Sequence, residues 1–386
     1  LNATTHHPGY FGALAVYAKC VVAATFVLLF IGGLVTSYQA GMAVPDWPLS
    51  FGSVNPEGWW GNLPVRLEHG HRQFALVIGM LVTILCAWTW RNGWPLLIAA
   101  VAAGILSPAA KAAGVAPIIV MHVGIWSFAG AFAITLLVMS KNRAPLTSRT
   151  VRVLAFAAFL GVALQATLGG LRVTVETAGN LSLALRLRIL HACVAQAELS
   201  LLVAAATLLS RAWIVGDWKS AGASLVAVRR FAWTVFAAVY AQLIVGAMMR
   251  HKGAGLAISS FPEVDDAGHW MPRVHNTFVD LNFTHTRFGA ALVTLMIFAL
   301  VLLVLRRARG DVRLISPAVG LLGLVLIQFA LGVYVIWHVK PITLTTIHVV
   351  NGAAVLAMSL LLALRTGRYL PESKPAQIQD HAEAAA

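Results

Sequence analysis

Nine times between residues 17 and 366 the chain runs for some twenty residues with almost no charge: 17–37, 71–90, 116–140, 152–171, 189–211, 230–249, 285–306, 314–336 and 345–366. A helix crossing about 30 Å of hydrocarbon needs about twenty such residues, and in lipid it satisfies every backbone polar group within itself. The fold class this dictates is an all-α polytopic membrane protein. Residues 94–112, interrupted by Pro108 and Lys111, make a weaker tenth candidate. With 59% hydrophobic and 11% charged residues among 386, the chain carries more apolar surface than a soluble domain can hide.

The formal charge of +14 suits nucleic acid at first sight, but its placement excludes that partner. Lys141, Arg143, Arg149 and Arg152 share one loop, and Arg211, Lys219, Arg229 and Arg230 another. Arg306, Arg307, Arg309 and Arg313 form a third group, and Arg365 and Arg368 follow the last run. With a tenth span all of these lie on one side, which the positive-inside rule makes cytoplasmic, and both termini lie there too. Loops 38–66 and 250–283 then face outward, with Trp47, Trp59, Trp60 and Trp270 suited to the lipid headgroup level. Cys20, Cys86 and Cys193 sit in apolar runs, so no disulfide framework, CxxC pair or CxxCH haem attachment is present. The first span is expected to act as signal anchor.

The chain also repeats itself. "AGMAVPDWP" at 40–48 matches "AGLAISSFP" at 254–262, and the same offset of 214 carries Gly32 onto Gly246 and His71 onto His285. Further on, "LQATLGGLRV" at 164–173 matches "IQFALGVYVI" at 327–336, pairing Gln165 with Gln328 and Gly169 with Gly332. "ILHACVAQA" at 189–197 matches "TIHVVNGAA" at 346–354, pairing His191 with His348. Two tandem four-helix transmembrane repeats are expected, at 17–229 and 230–370, between an N-terminal segment at 1–16 and a polar tail at 371–386. The first copy is longer by 51 residues between its first histidine, His71, and its glutamine, Gln165, which points to a two-helix insertion at about 92–142.

His71, His191, His285 and His348 each open a span descending from the outer side, at nearly one depth. Within each copy the two histidines fall on the second and fourth helices, which can face each other across a bundle core, where helical proteins place cofactors. Polar groups in a membrane are costly and seek partners. Iron in a haem uses two facing neutral imidazoles, whereas zinc takes further N, S or O ligands that do not repeat here. Two bis-histidine haems, one per copy, follow. Glu68, His71 and Arg72 share one helix face at i, i+3 and i+4. His69 lies about 160° away at roughly 100° per residue and is read as interfacial. Arg72 suits a haem propionate, and Arg287 the same in the second copy. Glu68 meets Asn282 at the offset, so one copy carries an ionisable group where the other has an amide. That asymmetry suggests one haem that is worked upon, with Glu68 moving protons, and one that carries electrons.

"EHGHR" at 68–72, "AGMAVPDWP", "LQATLGGLRV" followed by "LHACVAQ", "GAMMRH" with "AGLAISSFP", and the closing "IHVVNGA" together resemble the haem A synthase family, from about residue 17 to 366 outside the insertion. The resemblance implies a bacterial inner-membrane oxidoreductase that oxidises the C8 methyl group of haem o to a formyl group. The product, haem a, would serve cytochrome oxidase assembly. It implies a substrate site at His71 and His191 with Glu68 as catalytic group, and a permanent haem b on His285 and His348. Membrane lipid, protohaem farnesyltransferase and an electron-transfer partner are the partners such a reaction calls for. The chain departs from the family in three ways. Loops 38–66 and 250–283 lack the cysteine pair some members carry, "HTR" stands where His–Arg is expected, and the insertion adds His122, read as structural or interfacial. His251 is read at the outer surface, as a propionate or loop contact. The alternatives are a dihaem b-type, quinol-linked electron-transfer cytochrome and a transporter of parallel repeats, whose site should lie nearer the midplane.

Overall fold

A computed structural model describes residues 10–112, 114–141, 146–216, 218, 223–308 and 310–369. Residues 1–9 of the N-terminal segment, the tail at 371–386, and Arg143, Lys219 and Arg309 lie outside these. The protein is an integral membrane protein built of helices. In chain order they are α1 (Gly12–Ser37), α2 (Leu63–Thr89), α3 (Trp94–Ala112), α4 (Pro117–Met139), α5 (Arg149–Thr177) and α6 (Leu181–Leu209). The one-turn α7 (Arg211–Ile214) is followed by α8 (Ala223–His251), α9 (Thr277–Phe283), α10 (Ala290–Arg307), α11 (Val312–Trp337) and α12 (Ile342–Arg368). A π-helical turn, Thr284–Gly289, joins α9 to α10, so that Thr277–Arg307 is one crossing. Among the described residues nine helices are long and apolar enough to span; the apolar part of α3 is shorter, Trp94–Ala103.

The spanning helices start earlier than their apolar runs. Asn62 accepts from the Val65 N–H, Asn180 from Leu183, and Asn276 from Phe278 and Val279, each supplying an acceptor to an orphan first-turn donor. The extra turns carry Arg66, Glu68, Arg186, Arg188, Asp280 and Asn282, which an apolar window does not count. His71, His191, His285 and His348 therefore stand two to three turns inside their helices rather than at the mouths.

Helices α1, α2, α5 and α6 pack in a closed ring, and α8, α10, α11 and α12 in a second. Helices α3 and α4 form a hairpin applied to the first ring, chiefly through α4 on α5. The rings meet along α1, α6, α8 and α12, where Leu199, Val203 and Ala204 pack with Ala353 and Leu360. Each ring has its own apolar core, and both cores sit away from the histidines. The first begins on α2 at Ile78 and on α6 at Leu202; the second begins on α10 at Val293 and on α12 at Val355. Burial of these aliphatic side chains, at about 25 cal/mol per Å² of apolar surface, holds the far end of each ring together. The histidine ends are left to polar contacts and small residues.

Candidate haem sites

All four imidazoles are seated the same way. Each lays its Cε1–Nδ1 edge against a glycine of the neighbouring helix: His71 on Gly32 of α1, His191 on Gly169 of α5, His285 on Gly246 of α8, His348 on Gly332 of α11. A Cβ at these glycines would stand 3.0, 3.5, 2.6 and 3.2 Å from the respective Cε1 atoms, so at three of them any side chain would crowd the ring. The glycines bring helix backbones close enough to fix ring orientation. All four Nδ1 atoms are buried with no hydrogen-bond partner. Buried ring nitrogens without partners are uncommon in folded proteins and call for an explanation, such as strain, a redox role or an ion.

His285 and His348 face each other with ring centres 6.4 Å apart and planes at 80°. A metal held between two imidazoles at roughly 2 Å per nitrogen, each ring centre about 1 Å behind its nitrogen, needs centres about 6 Å apart. Gln328 Nε2 lies 3.2 Å from His348 Nε2 and its carbonyl accepts from Asn351 Nδ2 at 2.8 Å. The ring nitrogen that accepts from an amide is the unprotonated one, the form in which histidine ligates metal. Gln242 Nε2 donates to the His285 carbonyl at 2.8 Å, and Gln165 Nε2 to the His191 carbonyl at 3.2 Å. His191 lies within electrostatic range of His71 in the first ring. The glycine seats beneath all four histidines, and the facing rings of His285 and His348, fit haem held by histidine pairs. Among the described residues no three His, Cys, Asp or Glu side chains converge as a metal cluster.

Around the first pair the polar groups form one network. Glu68 is 3% exposed. Its Oε1 accepts from Arg72 Nη2 at 3.0 Å and Nε at 3.2 Å, and from Arg172 Nη2 at 3.4 Å. Oε2 has no hydrogen bond among the described residues. Arg72 gives its remaining donors to the carbonyls of Asp46 at 2.6 Å, Leu49 at 3.1 Å and Val44 at 2.8 Å. Arg172 also donates to the Gly41 carbonyl at 2.8 Å. The 41–49 loop is thus fastened over the site, with the Trp47 ring against Gly170, beside the glycine that seats His191.

The second pair has the same loop held by different means. Asn282 donates to the Ala254 carbonyl at 2.9 Å, and Arg287 Nη2 to the carbonyls of Ser260 at 2.5 Å and Glu263 at 2.9 Å. At the offset of 214, Ser260 and Glu263 correspond to Asp46 and Leu49, the carbonyls that Arg72 holds. Arg287 is one residue out of that register. The π turn Thr284–Gly289 takes up the extra residue, Thr286, which explains "HTR". Arg72 and Arg287 are therefore loop clamps in this structure, each with a guanidinium nitrogen on two carbonyls of its loop.

Other expectations change. His69 is buried, with Nδ1 2.8 Å from Ser50 Oγ and its ring edge-on to Trp59, so it anchors the loop rather than facing an interface. His251, at the end of α8, is half-buried rather than exposed at the outer surface, within electrostatic range of Arg172, Arg188 and His191. His122 stacks on Trp47 at 5.9 Å, and neither ring nitrogen has a partner. Sequence reasoning missed Arg172, the Arg188–Glu176 pair at 3.6 Å, and Arg250, which donates to the Gly33 carbonyl and Ser37 Oγ across the ring interface. Arg172 was findable. It aligns with Val335 in the second copy, the same kind of asymmetry that singled out Glu68.

A family model described as cytochrome oxidase assembly protein (COX15-CtaA) matches residues 65–360. Curated proteins named "Heme A synthase" from Brucella ovis, Brucella abortus and Brucella anthropi are each 32% identical to the chain over 85 residues, 20% of this chain and 24% of each relative. The match spans about a quarter of the length of those relatives.

Proposed function

The chain belongs to the cytochrome oxidase assembly protein family, and from that membership we propose that it is a haem A synthase, oxidising the C8 methyl group of haem o to the formyl group of haem a. The reading assigns substrate haem o to His71 and His191, and a resident haem b to His285 and His348. Haem iron supplies the redox chemistry when bound. The protein supplies ligation, orientation and proton handling. The Gly32 and Gly169 seats fix the first pair of rings, and the clamped 41–49 loop shields that site from water. Taking a methyl to a formyl group with oxygen from water, by way of the alcohol and the gem-diol, releases two electron pairs, which an external acceptor must take through the haem iron, and four protons, which must leave. Glu68 is placed to take them: two arginines fix Oε1, and Oε2 remains as acceptor.

The observation that carries this reading is the Glu68–Arg172 network at one histidine pair, where the second copy has Asn282 and Val335. A pure electron carrier has no use for a buried, doubly clamped carboxylate at only one of two like sites. Proximity to the outer face of a bacterial inner membrane, with cytoplasmic termini, belongs to the same proposal. The test is co-expression with protohaem farnesyltransferase in a host lacking haem A, followed by pigment extraction and mass analysis. Haem a is expected; haem o and haem b alone would reject it.

A further inference from the structure

Two helical turns beyond His191, on the same face of α6, lies Glu198. Seven residues at about 100° each bring it to within roughly 20° of the histidine's direction, about 10 Å further along the axis. It is 6% exposed, and neither of its oxygens has a hydrogen-bond partner among the described residues. Nothing on α5 crowds it, because the residue opposite is Gly161, whose missing side chain leaves the space that the Glu198 carboxyl fills. One turn along α5 toward the histidines stands Gln165. Its amide nitrogen donates to the His191 carbonyl at 3.2 Å, while its Oε1 is buried without a donor.

The fold does not require an acid here. The offsets that align His191 with His348 and Gln165 with Gln328 place Val355 at the position of Glu198 and Leu324 at that of Gly161. Val355 is 3% exposed in the core of the second ring, so an aliphatic side chain packs well at this level. An unpaired carboxylate in a helix bundle within lipid is strongly disfavoured, whereas the neutral acid needs only an acceptor for its O–H. Gln165 Oε1 is such an acceptor, one turn nearer the site. A buried acid without a base and a buried carbonyl without a donor complement each other.

We propose that Glu198 is a proton-exchanging carboxylic acid of the first ring, connected to the His71–His191 site through Gln165. The acid O–H breaks and its proton passes to a water molecule that Gln165 Oε1 orients on the side of the site, leaving carboxylate and hydronium; the reverse step restores the acid, and no electron changes hands. Its service to methyl oxidation rests on the functional reading above; its neutrality and exchange do not.

The test uses the full chain in detergent or native membranes. The apolar reagent dicyclohexylcarbodiimide adds to neutral carboxylic acids, and peptide mass mapping should find the adduct on Glu198, absent from Glu198→Gln, with the arginine-bound Glu68 unmodified. Infrared spectra should show a carboxylic C=O band that Glu198→Gln removes and that shifts in deuterium oxide, and Gln165→Leu should slow the shift. Absence of that band, or a band that deuterium oxide leaves unmoved, would overturn the proposal. Glu198→Val copies the residue of the second ring and serves as a folding control; it should retain both haems and lose at least about tenfold in formyl production. Undiminished production by that variant would refute a role in the reaction. Haem content measured on the same samples separates the two ideas. A wild-type chain without haem at the first pair defeats the functional reading, while labelling and exchange still decide Glu198.

Discussion

The imidazole of His285 rests on Gly246 so closely that a methyl group there would stand 2.6 Å from Cε1 and 3.1 Å from Nδ1. The corresponding approach is 3.0 Å at Gly32, 3.2 Å at Gly332 and 3.5 Å at Gly169. Overpacking of this kind costs about 1–3 kcal/mol, whereas alanine in open helix is better than glycine by about 1 kcal/mol. Alanine substitutions should therefore damage low-spin haem binding in the order Gly246, Gly32, Gly332, Gly169. Gly169→Ala should be near neutral. Optical spectra and thermal melts of the four variants measure this, and each loss should be confined to the ring that carries the change.

Glu68→Gln keeps the size of the side chain and removes its charge. Both haems should remain bound, because neither histidine seat involves Glu68, while formyl production falls by about 100-fold or more. Arg172→Gln acts differently. It takes away a donor to Glu68 and to the Gly41 carbonyl while Arg72 still pairs with Glu68, and losing a hydrogen bond to a charged group costs about 1.5–3 kcal/mol. That variant should melt earlier as well as lose activity. Pigment analysis beside calorimetry separates the two effects.

The membrane architecture was legible because lipid imposes a length and composition on every crossing. That His285 and His348 face each other was legible too, since a repeat displays its shared constraints twice. Helix starts were not, because Asn62, Asn180 and Asn276 extend helices through polar turns that hydropathy reads as loop. The work of Arg72 and Arg287 was also hidden. A guanidinium that grips backbone carbonyls leaves no mark in sequence, as any residue supplies a carbonyl. The one-residue slip to Arg287 became intelligible only with the π turn. Glu198 stood in plain view in an apolar run, but its want of a partner is a fact of packing.

If Arg72 and Arg287 are clamps, each should protect its own loop. Arg72→Ala frees the carbonyls of Val44, Asp46 and Leu49, and Arg287→Ala those of Ser260 and Glu263. Limited proteolysis from the loop side should cut Arg72→Ala within 41–55 and Arg287→Ala within 254–270, several-fold faster than the parent chain. Either variant cut equally in both loops would point to global loosening instead.

At the end of the second ring far from the histidines, Asp311 caps α11 and holds the chain's last described turn. It accepts from the Arg313 N–H at 2.9 Å and from Arg313 Nη2 at 2.8 Å, and the Tyr369 hydroxyl donates to its Oδ2. The Arg313 guanidinium lies over the Trp218 ring at 4.8 Å. Arg313's hydrogen bonds, helped by Tyr369, hold the Asp311 carboxyl down at about 2. Burial, and then the Asp311 carboxylate, push the Tyr369 hydroxyl above the usual range for tyrosine. For a depressed carboxyl the stabilisation is complete above its unfolded value, roughly 4, and is lost as pH falls toward 2. For a raised tyrosine it is complete below about 10 and is lost at higher pH. Asp311→Asn should therefore melt below the parent chain at pH 6, and the two curves should converge as pH drops from about 4 to about 2. Tyr369→Phe should lose its deficit relative to the parent only above about pH 10. Melting followed by tryptophan fluorescence across that range tests both, and a constant Asp311→Asn deficit down to pH 2 would show that the carboxylate is not the group that Arg313 holds.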